Sequence, residues 1–241
     1  MTPLPAARVW LAQAAVEPSS AQSALLSPVE LSMVAAKRQP LDGHLSATAR
    51  VVLKLLLAAE FGIDPFSVSL LSPAERGGKP VLHHAPHPGL HRPLQANISH
   101  AGGQVIVAVT QGDSVGVDVE EHLATEFKGF DGVALSAGER STVSALPHSQ
   151  RARLRAEFWV RKEAALKALG VGLPGNPAQL CFAQAATRSA AQLAGHPPAG
   201  VQLVQAPDGY AAAVAVRGAA VVVCHETSFS AAEIANYARK T

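Results

Sequence analysis

The 241-residue chain has few cysteines, few aromatic residues and no large excess of either charge. Its two cysteines, Cys181 and Cys224, each lie in an apolar run, where cysteine usually packs as a small hydrophobic residue. We therefore expect neither a disulfide scaffold nor a zinc cluster. The 20 basic and 18 acidic residues create no global basic field, so we expect no nucleic-acid binding, and any polyanion must be bound locally.

Long hydrophobic runs are also missing. The longest apolar stretches, Val51–Ala59 and Tyr210–Cys224, are each interrupted by a basic residue. Neither supplies the roughly 20 uninterrupted apolar residues that a membrane-spanning helix needs. The apolar segment Val9–Val16 follows a single arginine and is better explained as a first strand than as a signal peptide. We therefore expect a cytoplasmic protein without a membrane span.

Helical and strand-like patterns alternate along the chain. Apolar spacing predicts helices at Ser46–Phe61 and Leu154–Leu169, each ended by a glycine. Short β-branched runs predict two neighbouring strands and a C-terminal strand pair, at Gln104–Thr110, Val115–Val119, Tyr210–Val216 and Ala219–Cys224. A capping box at Ser230 and Glu233 predicts a last helix. Elements of both kinds mix throughout, as in an α+β fold.

Two carboxylates alternate with valines in the segment Val115–Glu120. The two-residue period of a strand places Asp118 and Glu120 on one face. Two like charges so placed repel each other unless one is protonated or a cation lies between them. Mg²⁺ suits such a pair, because it binds a few carboxylate oxygens together with water and substrate phosphates. A solvent-facing edge strand explains the same pattern, so the pattern alone does not decide.

The helix at Leu154–Leu169 carries a charged stripe. Trp159, Glu163 and Lys167 follow at steps of four and share a face, whereas Lys162 projects into the apolar arc. Lys162 either extends its ammonium group to the surface or, like Lys167, faces a phosphate held by the metal that Glu163 binds. An ordinary helix ion pair also explains Glu163 and Lys167.

A polar segment, Asn97-Ile-Ser-His100, precedes Gly102 and Gly103. We predict a turn there that brings a hydroxyl, an imidazole and free backbone amides together, which is an arrangement that can bind an anion. Simple capping of a turn by Asn97 and Ser99 is the alternative.

Two further segments carry basic side chains. Lys79 and Pro80 end a glycine-rich loop that lacks Walker spacing, so a nucleotide contact by Lys79 is the most that it suggests. The histidines of residues 83–91 lie among prolines, which disfavours the geometry of a zinc site and leaves their role open.

In their order, four segments resemble the Sfp-type 4'-phosphopantetheinyl transferase family. They are Gly78–Pro80, Asn97–His100, Val115–Glu120 and Phe158–Gly170. The last two are specific, because a Gly-hydrophobic-Asp-hydrophobic-Glu strand is followed at the right distance by Trp-x-x-Lys-Glu-Ala-x-x-Lys-x-x-Gly. The resemblance covers roughly residues 50–172, and outside them only length and hydrophobic pattern agree.

The resemblance implies two similar α/β halves related by a pseudo-twofold axis, with coenzyme A in the cleft between them. A faint echo agrees, since Asn97–Val109 and Pro207–Val216 both run from a polar turn into a Val/Ala-rich strand. We predict an N-terminal half at residues 1–112 and a C-terminal half, with the metal-binding and catalytic motifs, at residues 113–241. Duplicated halves would let a monomer build the cleft.

The resemblance also implies a site in which Mg²⁺, or Mn²⁺ in its place, binds the pyrophosphate of coenzyme A. The implied metal ligands are Asp118, Glu120 and Glu163. The implied coenzyme A-binding residues are Arg38, Lys79, Pro80, Ser99, His100, Lys162 and Lys167. Arg50 is a rival of Arg38 for the 3'-phosphate. Glu163 would accept a proton and Lys167 would stabilise the leaving group.

The implied reaction transfers 4'-phosphopantetheine from coenzyme A to a serine of an apo acyl or peptidyl carrier protein and releases 3',5'-ADP. Between Glu121 and Leu146, a stretch that faces the carrier in the family, the sequence departs from the family pattern, so the carrier and its fatty acid, polyketide or nonribosomal peptide pathway stay open. Two alternatives also stay open: a non-catalytic coenzyme A or carrier-binding module of the same fold, and another Mg²⁺-dependent phosphoryl-transfer enzyme.

Overall fold

A computed structural model describes residues 6–13, 23–71, 80–172, 176–183, 186–218 and 223–229. The longest elements of the fold in these ranges are helices. Within these ranges the α-helices are α1 (Pro28–Ala35), α2 (Pro40–Phe61), α3 (Phe130–Ala134), α4 (Ala137–Ala145) and α5 (His148–Leu169). No helix in the described ranges is long and apolar enough to cross a membrane.

The strands of the same ranges form three sheets. They are β1 (Ala6–Gln13), β2 (Ser69–Leu71), β3 (Val81–His83), β4 (Leu94–Ala101), β5 (Gln104–Gln111), β6 (Val115–Glu121), β7 (Arg188–Ala191), β8 (Ala199–Val204), β9 (Tyr210–Arg217) and β10 (Val223–Phe229). One sheet has the order β10-β1-β5-β4 and another β6-β9-β8-β7, while β2 pairs with β3. The paired strands are antiparallel except β1 and β10, which are parallel. The fold is α+β, as the sequence predicts.

The two long helices, α2 and α5, contain 22 residues each and end as predicted. Gly62 and Gly170 follow them in the left-handed conformation, with φ of 66° and 75°, which glycine adopts without steric penalty. Both helices begin earlier than the apolar stripe indicates. In α2, Pro40 occupies the first turn, where its fixed φ suits the helix and its missing N–H leaves no bond unmade.

Strand pairing differs from the prediction. β5 and β6 follow each other in sequence but belong to different sheets. β9 pairs with β6 and β8, whereas β10 pairs with β1, so the predicted C-terminal strand pair is wrong. The predicted helix at Ser230 and Glu233 lies outside the described residues.

The N-terminal part contains a buried polar arrangement around Glu30. Ser27 and Glu30 form a capping box at the start of α1. The ammonium group of Lys54 lies 2.9 Å from Glu30 Oε2 and donates to the carbonyl of Leu25, and Glu30 Oε1 accepts from the N–H of Leu70.

The C-terminal part repeats this arrangement around Glu139. Ser136 and Glu139 form a capping box at the start of α4. Lys162 lies 2.6 Å from Glu139 Oε2 and donates to the carbonyl of Ala134. Glu139 Oε1 accepts from the N–H of Phe182. Two similar halves would produce such a repeat. The pseudo-twofold axis stays a prediction. The boundary at residues 112 and 113 also stays a prediction, and the pairing of β10 with β1 joins residues from both sides of it.

The site lies where the two four-stranded sheets meet. One hydrophobic cluster fills the N-terminal part, a second lies between α5 and the second sheet, and a third joins the two sheets. The third cluster includes Ile106 of β5, Val117 and Val119 of β6, and Val214 of β9. Because these valines are buried, the alternate residues of β6 point to the opposite face of the strand.

Candidate active site

Gly116 sets how closely β6 packs against α5. A Cβ atom at this position would lie 2.2 Å from the carbonyl oxygen of Ala164 and 2.5 Å from the amide nitrogen of Ala168. Only glycine fits there, which explains the glycine of the Val115–Glu120 segment in physical terms. The close approach brings Asp118 of β6 and Lys167 of α5 into contact.

Asp118 and Lys167 form the centre of the site. The ammonium nitrogen of Lys167 lies 2.7 Å from Asp118 Oδ1, and the carboxylate is almost buried. Lys167 also donates to the hydroxyl of Ser99 and to the carbonyl of Val117, at 3.1 Å each. Ser99 in turn donates to Asp118 Oδ1 at 2.8 Å. All three ammonium hydrogens of Lys167 therefore have acceptors.

Strand β4 supplies Ser99 and holds it in place through Asn97. The side-chain oxygen of Asn97, which is buried, accepts the N–H of Val117 at 2.9 Å. The predicted turn at Asn97–His100 is wrong, because the four residues lie within β4 and only Gly102 and Gly103 turn the chain. A strand holds these side chains more rigidly than an exposed turn does.

Glu163 and Glu120 add two carboxylates to the centre. Burial and then the charge of Asp118 raise the pKa of Glu163 to about 7, with a further contribution from Glu120 and an opposing one from Lys167. Burial and the charge of Asp118 also raise the pKa of Glu120. Within the described part of the chain, Glu163 Oε1 is buried and has no hydrogen-bond partner. The centre therefore holds more negative charge than Lys167 offsets.

Cations act on His100, the residue that follows Ser99 on β4. Burial is the main cause that lowers the pKa of His100, and Asp42 opposes it. Three cations lower the pKa further: Lys37, Lys167 and Arg50. Arg50 is buried, and its Nη1 donates to Ser46, but its Nε finds no hydrogen-bond partner among the described residues. The surroundings of His100 are thus suited to an anion.

Lys162 lies outside the site, which contradicts its expected contact with coenzyme A. Its side chain is fully buried and donates to Glu139 Oε2 at 2.6 Å, to the carbonyl of Ala134 at 2.8 Å and to the carbonyl of Pro177 at 3.0 Å. Its ammonium hydrogens are therefore fully used in the interior. Burial lowers the pKa of Lys162, and the hydrogen bond to Glu139 opposes this effect.

The remaining expected residues are less informative. Arg38 is exposed in the turn between α1 and α2, and Pro80 is half-buried just before β3. Lys79 lies outside the described residues. The histidines of residues 83–91 are exposed or half-buried.

A metal ion would find oxygen donors at this centre but no enclosed cage. In the ranges that the structure describes, no three histidine, cysteine, aspartate or glutamate side chains converge closely enough to hold a metal. Mg²⁺ does not need such a cage, because it is usually bound by one or two carboxylates together with substrate phosphates and water. The donor chemistry of Asp118, Glu120 and Glu163, with the unpartnered Oε1 of Glu163, fits that mode.

A family model matches a part of the chain that contains several of these residues. Residues 114–215 match the family model of the 4'-phosphopantetheinyl transferase superfamily. Over this segment, the chain is similar to that superfamily. The matched segment of the transferase superfamily contains Asp118, Glu120, Glu163 and Lys167, whereas Ser99 and His100 precede it. The Sfp type within the superfamily stays a prediction.

Two curated relatives carry related names. The chain is 26% identical over 178 residues to a putative 4'-phosphopantetheinyl transferase of Synechocystis sp., which covers 72% of the chain and 68% of the relative. It is 27% identical over 151 residues to a phosphopantetheinyl transferase of Thraustochytrium sp., which covers 56% of the chain and 49% of the relative. The chain therefore spans about half the length of the second relative.

Glu139, the partner of Lys162, is not among the residues predicted from the sequence. A signal for it exists in the chain, since Ser136 and Glu139 have the spacing of a capping box, as Ser27 and Glu30 do. The repeat of this spacing in both parts, each followed by a buried lysine, could have placed Lys162 in the interior.

Proposed function

We propose that the protein transfers the 4'-phosphopantetheine group of coenzyme A to a serine of an apo carrier protein and releases 3',5'-ADP. The observation that carries the proposal is the contact of Lys167 with both Asp118 and Ser99, beside the buried carboxylate of Glu163. A diphosphate substrate with a bound divalent cation needs both charges, because the carboxylates hold the cation and the lysine stabilises phosphate oxygens.

Asp118, Glu120 and Glu163 would hold Mg²⁺, with Mn²⁺ as a substitute that accepts the same oxygen ligands. The raised pKa values of Glu120 and Glu163 support this assignment, since burial and the charge of Asp118 disfavour the charged form of both carboxylates and a bound cation would favour it. When bound, Mg²⁺ supplies charge neutralisation at the diphosphate.

The cations around His100 would bind the phosphates of the nucleotide. His100 and Ser99 are the candidates for direct contact, and Lys37 and Arg50 surround them with positive charge. The buried Nε of Arg50, which has no hydrogen-bond partner among the described residues, favours Arg50 over the exposed Arg38 for the 3'-phosphate. Lys79 and Pro80 stay candidates for the adenine.

In the transfer step, the hydroxyl oxygen of the carrier serine forms a bond to the β-phosphorus of coenzyme A. The bond from that phosphorus to the oxygen of 3',5'-ADP breaks, and the serine proton passes to Glu163. Lys167 would stabilise the charge on the leaving phosphate oxygen of 3',5'-ADP, and it reaches that oxygen only by giving up one of its three acceptors. Rate acceleration rests mainly on positioning and charge stabilisation.

The carrier would dock beside α3. Lys128 is exposed there and borders a cleft of about 460 Å³ together with Phe127 and Phe130. Exposed apolar side chains nearby are Leu123, Phe127 and Val133. An acidic carrier would be attracted by Lys128 and would cover the apolar side chains. Three other basic residues, Arg140, Arg151 and Arg153, already bond within the chain.

The test is incubation of the protein with coenzyme A and a panel of apo carrier proteins. The carrier should gain the mass of phosphopantetheine, 3',5'-ADP should appear in equal amount, and excess chelator should abolish both. Binding of coenzyme A without any mass gain on any carrier would favour the non-catalytic binding module. Release of phosphate or of phosphopantetheine to water would favour a hydrolase.

A further inference from the structure

Hydrogen bonds among Tyr210, Glu121 and Gly103, called the latch below, join the β4–β5 turn to the C-terminal part at the edge of the site. The hydroxyl of Tyr210, the first residue of β9, donates to Glu121 Oε1 at 2.9 Å. The same hydroxyl accepts the N–H of Gly103 at 3.2 Å. Tyr210 and Glu121 are direct partners across the β6–β9 ladder, so the sheet fixes their separation.

The turn is shaped to fit against this pair. Gly102 has a φ of 53°, and a Cβ at this position would lie 2.0 Å from Glu121 Oε1 and 2.3 Å from the hydroxyl of Tyr210. Gly103 has open space where its Cβ would be, so crowding is confined to the residue that touches the latch. The turn and the latch thus interlock through close contact and a hydrogen bond.

The latch is the outermost of three contacts that hold β4 and its turn against β6. The inner two are Asn97 with Val117 and Ser99 with Asp118. His100 follows the inner contacts and precedes the latched Gly103 by three residues. Its position is therefore fixed from both sides, although it is only half-buried.

We propose that Tyr210 is a positioning residue, which through Gly103 and Glu121 holds His100 in place to bind a phosphate group. Tyr210 itself touches no reacting atom. Without its hydroxyl, the turn keeps its inner contacts but loses the outer one, so the strand end that carries His100 moves more freely. The kinetic part of this inference rests on the proposed function, whereas the contact itself does not.

The test uses Tyr210→Phe, which removes one oxygen atom, and measures two quantities. Hydrogen exchange of the amides at residues 102–104 reports the latch directly, and exchange should become faster in the variant. Calorimetric binding of 3',5'-ADP reports the consequence, and the dissociation constant should rise about three- to ten-fold, the range expected for one hydrogen bond. The kcat at saturating coenzyme A should change less than the KM for coenzyme A.

A control variant separates positioning from general stability. Thr110→Val removes a buried hydroxyl from the opposite end of β5, where it donates to the carbonyl of Asp113, and should leave 3',5'-ADP binding unchanged even if the protein melts earlier.

The outcomes distinguish this inference from the proposed function. Unchanged exchange at residues 102–104 in Tyr210→Phe, or faster exchange together with unchanged 3',5'-ADP binding, overturns the positioning role. If the wild type binds no 3',5'-ADP and modifies no carrier, the proposed function fails. Faster exchange would in that case still support the latch, since it needs no substrate.

Discussion

Replacement of Lys162 by methionine is the sharpest test of the buried position of this lysine. Methionine has nearly the volume of lysine, so packing changes little, but the three hydrogen bonds to Glu139, Ala134 and Pro177 are lost. Glu139 would then be a buried charge without a cation, since it is only 3% exposed. Removal of one partner from such a pair costs about 3–5 kcal/mol of unfolding free energy.

Thermal and denaturant unfolding measure this loss. For a chain of this size, about 3–5 kcal/mol corresponds to a decrease in Tm on the order of 10 °C. The double variant Lys162→Met/Glu139→Gln should lose less than the sum of the single changes, because no charge stays buried. Lys54→Met is the matched control, since Lys54 makes the same kind of pair with Glu30 in the N-terminal part.

Activity measurements complete the comparison. If Lys162 is a buried structural residue, folded Lys162→Met should keep the wild-type KM for coenzyme A, as Lys54→Met should. If Lys162→Met retains the wild-type Tm while its KM for coenzyme A rises about ten-fold or more, the lysine contacts substrate and the buried position is wrong.

Three further predictions concern packing, pH and partner binding. Gly116→Ala should lower the unfolding free energy by about 3 kcal/mol or more, because its Cβ would overlap the backbone of α5; wild-type stability in denaturant unfolding would contradict this. Burial raises the pKa of Glu30, but the bonds from Leu70, Lys54 and Ser27 outweigh it, so the folded-state pKa lies below the ordinary 4.5. The ionised Glu30 carboxylate therefore stabilises the fold fully above that value, and this stabilisation is lost as pH falls through the folded-state pKa. The difference in unfolding free energy between wild type and Glu30→Gln should narrow below about pH 4.5 and stay constant above about pH 6. Lys128→Glu should raise the KM for an acidic carrier with no change in Tm, and added salt should reduce the difference; an unchanged KM would move the docking surface elsewhere.

Local patterns predicted the elements that short-range physics controls. The C-terminal ends of α2 and α5 were predictable because Gly62 and Gly170 stop a helix whatever lies around it. Pairing of β9 with β6 was not, because partners far apart in sequence are chosen by burial in the assembled fold. The strand period alone predicted that Asp118 and Glu120 share one face of β6. The contact of Asp118 with Lys167 was not predictable in this way, because it depends on the packing of α5 on β6.

Lys162 shows the limit of motif-based assignment. Its place in the apolar arc of the helix was visible in sequence, but a buried lysine needs a partner, and Glu139 lies 23 residues away on another helix. Glu163 and Lys167, one and five positions further on, face the other side of α5 and reach the site. Neighbouring residues of one motif therefore face different surroundings, one in the interior and the others at the candidate site.

The most direct test of the central claim is the transfer rate of Glu163→Gln, followed by the intact mass of an apo carrier. Glutamine keeps the size and one oxygen of Glu163 but removes its charge and its basic site. If Glu163 holds the cation and accepts the serine proton, kcat should fall about 10²-fold or more while the variant melts at or above the wild-type temperature. A folded Glu163→Gln variant that modifies the carrier at the wild-type rate would contradict the claim.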